Sequence, residues 1–161
     1  AMKALCCIGR DGVAALGKEL IDPQQSNRAG ILVILQDPWV VGTNGFVAVP
    51  FLLSCLNDPD SHIAEESLVT LGEFRAEPAI TVPALIKLLR RHQNPWYRRQ
   101  AADFLGGFGE LARSSVTNLL EACEDSDFQV QTSATNALQM IAPELFGTNA
   151  FSGSTKSIKK N

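Results

Sequence analysis

Proton transfer and metal binding need histidine, carboxylate or thiolate groups at set spacings, and this sequence offers few candidates. Its two histidines are His62 and His92. Neither is flanked by the signature of a nucleophilic triad, and a lone imidazole without an orienting partner is weak evidence for general-base chemistry. Glu65, Glu66 and Glu73 fall on one helix and could in principle divide into acid and base. A face with three glutamates is more often simply solvated. Gly106-Gly107-Phe108-Gly109 has no following Lys-Ser/Thr and no preceding strand, so it reads as a helix stop rather than a phosphate loop. Cys6, Cys7, Cys55 and Cys123 make no C-x-x-C pair and sit in apolar runs, as buried thiols do in a reducing compartment. The expectation is therefore no catalytic residue, no metal site and no cofactor: not an enzyme.

What positions these side chains is an internal repeat. One element recurs as Val13-Ala14-Ala15-Leu16, Val49-Pro50-Phe51-Leu52, Val82-Pro83-Ala84-Leu85 and Val116-Thr117-Asn118-Leu119, each with a further apolar residue at Leu20, Leu56, Leu89 and Cys123. This is one stripe of a helix, helix A. A second element, helix B, carries Asn27, Ile63, Tyr97 and Val130; then Ile31, Ser67, Ala101 and Ala134; then Leu35, Leu71, Leu105 and Leu138. That last series repeats at intervals of 36, 34 and 33 residues, and the i, i+4, i+8 spacing places each set on one face. Gly72 and Gly106 follow two of these leucines and suit close helix approach. Asp22-Pro23, Asp58-Pro59 and Asn94-Pro95 punctuate the A–B turns, with Asp125 and Asp127 equivalent in the last. Their side chains can cap the next helix, and proline fits its first turn. Pro50 and Pro83 are read the same way at the starts of A helices. Leu5 fits the end of an earlier helix B.

The run Val82-Pro83-Ala84-Leu85-Ile86-Lys87-Leu88-Leu89, with Asn94-Pro95-Trp96-Tyr97-Arg98-Arg99-Gln100-Ala101-Ala102-Asp103-Phe104-Leu105-Gly106, resembles the HEAT-like repeat first described in phycobilisome lyases. The likeness covers residues 3 to 146 and implies an all-α fold. That fold is a right-handed α–α superhelix of about four antiparallel pairs plus an N-terminal half repeat. The expected domain spans 1–146: a truncated helix B over 1–9, then repeats at 12–36, 47–74, 80–108 and 112–142. Residues 147–161 form a tail, flexible or, through Phe151 and Ile158, capping. Two departures stand out. The slot where the family often has arginine reads Arg28, Ala64, Arg98 and Gln131, so an Arg–Asp ladder between repeats would be incomplete. The stretch from Gln36 to Phe46, with Trp39 in it, is longer than its counterparts and reads as an elaborated loop.

The resemblance implies that B helices line a concave, partner-binding surface. On the register above, the outward positions include His62, Glu65, Glu66, Val69, Glu73, Trp96, Arg99, Gln100, Asp103, Phe128, Gln129, Thr132 and Asn136, with Ser26, Ala29, Gly30, Val33, Asp37, Gly107, Ser133 and Met140 filling the same rows. Trp96 and Phe128 could form an aromatic ledge near Arg99, or could instead close the ends of neighbouring helices. The expected partner is a protein or peptide. Two other readings come from the family alone: a nucleic-acid or DNA-repair protein, and a bilin lyase-like handler of a chromophore. The formal charge of -3 and the acidic His62–Glu73 row disfavour nucleic acid. So does the reading of Lys87, Arg90, Arg91, Arg98, Arg99 and Arg113 as part of a mixed, solvated face. No apolar run is long enough to cross a bilayer and no signal-peptide pattern opens the chain, so the expected location is the cytoplasm.

Overall fold

A computed structural model describes residues 8–146, and every regular element among them is helical. Leu5, Cys6, Cys7, nearly all of the expected half repeat, and the tail with Phe151 and Ile158 lie outside the described residues. Helices α1 (Arg10–Leu20) and α2 (Arg28–Gln36) make the first pair. A short α3 (Pro38–Val41) and a 3₁₀ stretch, Gly42–Ala48, lead into α4 (Val49–Cys55), which pairs with α5 (Ser61–Phe74). The third pair is α6 (Pro78–Arg91) with α7 (Pro95–Phe108). A second 3₁₀ stretch, Gly109–Ser115, opens the fourth, α8 (Val116–Ala122) with α9 (Phe128–Ile141), and a final 3₁₀ turn spans Pro143–Phe146.

The core lies between the A-helix stripes, where Val13, Leu52, Leu85 and Leu119 are fully buried, and the B-helix stripes. Leu35, Leu71, Leu105 and Leu138 occupy matching interior positions at 0–1% exposure, each contributing about 2 kcal/mol of apolar burial. Ile31, Ser67, Ala101 and Ala134 are buried one turn earlier. The glycines let neighbouring B helices touch. A Cβ on Gly72 would fall 2.1 Å from the Phe104 ring, and one on Gly106 would fall 3.0 Å from the Ala137 backbone. Both positions sit where α5 meets α7 and α7 meets α9.

Five expectations are corrected. Asn27 is exposed at the N-cap of α2, while its register mates Ile63, Tyr97 and Val130 are buried. An amide has no partners to satisfy it in an apolar stripe, so α2 starts a turn late. Pro83 lies inside α6, which opens at Pro78. The lead-in turn that is 3₁₀ ahead of α4 and α8 is α-helical here, and Pro83 both lacks an N–H for the Ala79 carbonyl and sets its ring against it. Pro50, by contrast, does sit in the first turn of α4. The cap of α5 is Asp60, which accepts from His62 N–H at 3.0 Å, not Asp58; of the three X-Pro turns only Asn94-Pro95 caps directly. Gln36–Phe46 is not a loop but successive helical turns, with Trp39 83% exposed on one of them. Ser133, placed outward by the register, is buried in α9.

Candidate functional site

The candidate surface is the side of α5, α7 and α9 turned away from the A helices. On α5, His62 and Glu73 are exposed and Glu65, Glu66 and Val69 half-buried. Glu66 is tied to the preceding pair, because Gln36 Nε2 donates to Glu66 Oε2 at 2.9 Å and to Thr70 Oγ1 at 3.0 Å. On α7, Arg99 donates across to Gln129 Oε1 of α9 at 3.1 Å and lies 3.9 Å from Asp103 one turn on. Gln100 accepts a longer contact from Arg99 at 3.4 Å. On α9, Gln129, Thr132 and Asn136 are exposed, and Thr132 Oγ1 donates to Phe128 O. Side chains of adjacent B helices thus brace one another along this face.

The two aromatics part company. Trp96 is half-buried, packs on the core and meets Tyr97 edge-on with ring centroids 5.0 Å apart. Phe128 is 77% exposed. Among the described residues no ring contact joins them, so Trp96 behaves as a helix-end closure and Phe128 alone projects. Val33 and Met140 are also exposed, at 66% and 63%. Burial, aided by Glu65, raises the Tyr97 phenol pKa.

Charge between pairs is organised by a ladder that skips a rung. Arg28 of α2 forks onto Asp58 in the turn before α5, with its Nε bonded to Leu20 O at 2.7 Å. Arg98 of α7 forks onto Asp125 in the turn before α9, Nε to Oδ2 at 2.8 Å and Nη2 to Oδ1 at 2.7 Å. Its remaining Nη1 holds His92 O and Gln93 O in its own turn. In both rungs the guanidinium bonds pull the carboxylate pKa down, and planar, bidentate pairing favours arginine. Between them the arginine slot holds Ala64. The position matching Asp58 and Asp125 holds His92: Asn94 N–H donates to His92 Nδ1 just as Asp60 and Asp127 N–H donate to those aspartates. The histidine ring stacks on Tyr97 at 3.9 Å instead of meeting a cation. Both partners of the middle rung are absent together, so neither charge is stranded in a half-buried site.

Of the sequence's basic candidates, Arg98, Arg99, Arg90 and Arg113 have acidic partners in Asp125, Asp103, Glu121 and Glu144. Among the described residues no group of three metal-ligating side chains converges. Cys55 is buried and its thiol pKa raised by desolvation; Cys123 is half-buried.

Stacked pairs of this length, with arginine-to-turn rungs between them, agree with one further observation: a family model described as HEAT repeats matches residues 82–148. Over that stretch the chain is similar to HEAT repeats. The comparison with curated proteins returns no match. The matched HEAT stretch takes in the third and fourth pairs, and the first two follow the same helical plan, so the chain is an α-helical solenoid. HEAT repeats commonly mediate protein–protein interaction and are generally non-catalytic scaffolds. No helix among the described residues is long and apolar enough to cross a membrane.

Proposed function

We propose that the chain is a protein- or peptide-binding module that presents the B-helix face of α5, α7 and α9 to its partner, at Phe128 and Arg99 above all. One observation carries this reading. Phe128 opens α9 with 77% of its surface exposed, beside an arginine braced against α9 through Gln129. A large aromatic costs apolar exposure in the free protein and regains it on contact, and aromatic and arginine side chains dominate interface energetics. The bracing lowers the side-chain entropy lost when a partner arrives. The row His62, Glu65, Glu66, Val69 and Glu73 would set the charge preference of the far end, and Gln100, Asp103, Thr132 and Asn136 would supply adaptable polar contacts. Trp96 supports the surface from beneath. Nucleic acid fits less well, since Arg98 and Arg99 are engaged by aspartates and α5 adds carboxylates.

The test is affinity capture from the cells that make the protein, followed by titration of the recovered partner. Phe128→Ala and Arg99→Ala should each weaken binding by about tenfold or more, as hot-spot truncations do. Undiminished affinity in both variants would remove this face from consideration.

A further inference from the structure

A groove on the opposite, A-helix side carries a second inference, independent of the B-helix reading. Between α4 and α6 lies a groove of about 250 Å³, floored by Leu53, Leu56, Ala84 and Leu88 and bordered by Asn57, Lys87, Arg91 and His92. One pair later, between α6 and α8, lies a groove of about 240 Å³ lined by Leu89, Arg90, Asn118, Glu121, Ala122 and Asp125. The two are the same place in the repeat. Leu56 and Asn57 correspond to Leu89 and Arg90, and Ala84, Lys87 and Leu88 correspond to Asn118, Glu121 and Ala122.

Their chemistry is inverted. In the later groove Arg90 reaches Glu121 at 4.0 Å and Asp125 is held by Arg98, so its charges are answered within the protein. In the earlier groove Lys87 stands where Glu121 stands, Arg91 and His92 border where Asp125 borders, and Asn57 replaces the arginine. No carboxylate of the described residues lies within ion-pair reach of Lys87 or Arg91. The C-terminal end of α6 offsets part of this positive charge, but a helix end carries only about half an elementary charge against two full ones.

We infer that this groove is a docking site for an acidic peptide segment bearing a leucine or phenylalanine, whose side chain enters between α4 and α6 while flanking carboxylates meet Lys87 and Arg91. The volume admits one large apolar side chain. The apolar floor supplies the contact, and the unanswered cations select against neutral or basic sequences, which would leave them unpaired. Asn57 offers an amide to the peptide backbone at the rim.

The probe is a fluorescein-labelled octapeptide with a central Leu-Phe flanked by three glutamates on each side, with a twin carrying glutamine for every glutamate. Fluorescence polarisation should give a Kd of roughly 10–100 μM for the first, the range for one small groove. The twin should bind at least about tenfold more weakly, and added salt should erode the difference. The pair Lys87→Glu with Arg91→Asp reproduces the charge of the later groove and should weaken binding by about tenfold or more; Lys87→Gln with Arg91→Gln, a milder pair at the same exposed positions, should show the same direction. Phe128→Asp should leave affinity within about twofold, since it lies on the other face. No polarisation change up to about 1 mM, equal binding of the twin, indifference to both groove pairs, or loss of binding in Phe128→Asp would each overturn the assignment.

Discussion

Removing the Arg98–Asp125 rung is the sharpest perturbation the structure allows. The two side chains are each 13% exposed and share two hydrogen bonds of 2.8 and 2.7 Å. For charge centres about 4 Å apart and an effective dielectric of about 20, the Coulomb attraction is on the order of 4 kcal/mol before desolvation is subtracted. Charge-assisted hydrogen bonds contribute about 1.5–3 kcal/mol net. Taking these together, we expect a coupling energy of about 2–3 kcal/mol from a double-mutant cycle of Arg98→Ala and Asp125→Ala. Each single change also frees backbone groups, His92 O and Gln93 O in Arg98→Ala and Asp127 N–H in Asp125→Ala; the cycle cancels those separate costs. Urea unfolding near neutral pH, followed by circular dichroism, measures all four proteins. The control is Arg90–Glu121, whose side chains are 52% and 62% exposed at 4.0 Å and whose coupling should be below about 0.5 kcal/mol. A coupling for Arg98–Asp125 no larger than the control's would show that the rung contributes geometry and no energy.

Acid should act through the same carboxylates. Asp58 and Asp125 are held below the usual range by Arg28 and Arg98, so their stabilisation is present above about pH 4, the unfolded-state value, and is lost as pH falls through the lower folded-state values; Arg98→Ala should flatten the acid limb of a stability–pH curve. Gly72→Ala would set a methyl 2.1 Å from Phe104 and should destabilise by about 1–3 kcal/mol, with Phe104→Leu partly restoring the melting temperature. Leu105→Ala, at 0% exposure, should cost about 2–5 kcal/mol by calorimetry or urea titration. Phe128→Ala should change stability by under about 0.5 kcal/mol, since its ring makes no core contact.

The solenoid was legible in the sequence because its signal is redundant. Three of the four B helices repeat an apolar or aromatic residue, a small residue and a leucine at fixed spacing, the first keeping the leucine with Ile31 in the small slot, and a misplacement by one would put Leu71 or Leu105 in water. Asn27 escaped because one polar residue in an otherwise matching frame looks like noise, while physically it ends the helix. Pro83 misled for a related reason: proline favours a first turn, but α6 begins a turn earlier, at Pro78, and carries Pro83 inside it despite the lost hydrogen bond. The ladder was half visible. Arg28 and Arg98 could be aligned, and Asp58, His92 and Asp125 each stand five residues before Ile63, Tyr97 and Val130, but each turn offers more than one polar side chain, and the hydrogen bonds from Asp60, Asn94 and Asp127 N–H show which of them takes the acceptor position. The groove between α4 and α6 had a signal that composition hides. Lys87 against Glu121 is a charge reversal at one register position, and counting the local basic residues together masks it.

The skipped rung also fixes the order of the units. Were the third pair lost by unequal recombination, α5 would abut the turn before α9, and Ala64 would face Asp125 with no guanidinium to neutralise it. Were the second lost, Arg28 would be set against His92 and the Tyr97 ring. Either shortened chain inherits an orphan charge in a nearly dry seam. Although the pairs look interchangeable, their electrostatic ends are keyed like couplings of different gauge, and a single pair can be gained or lost without an orphan charge only by re-matching the ends, whereas the second and third pairs can come or go together.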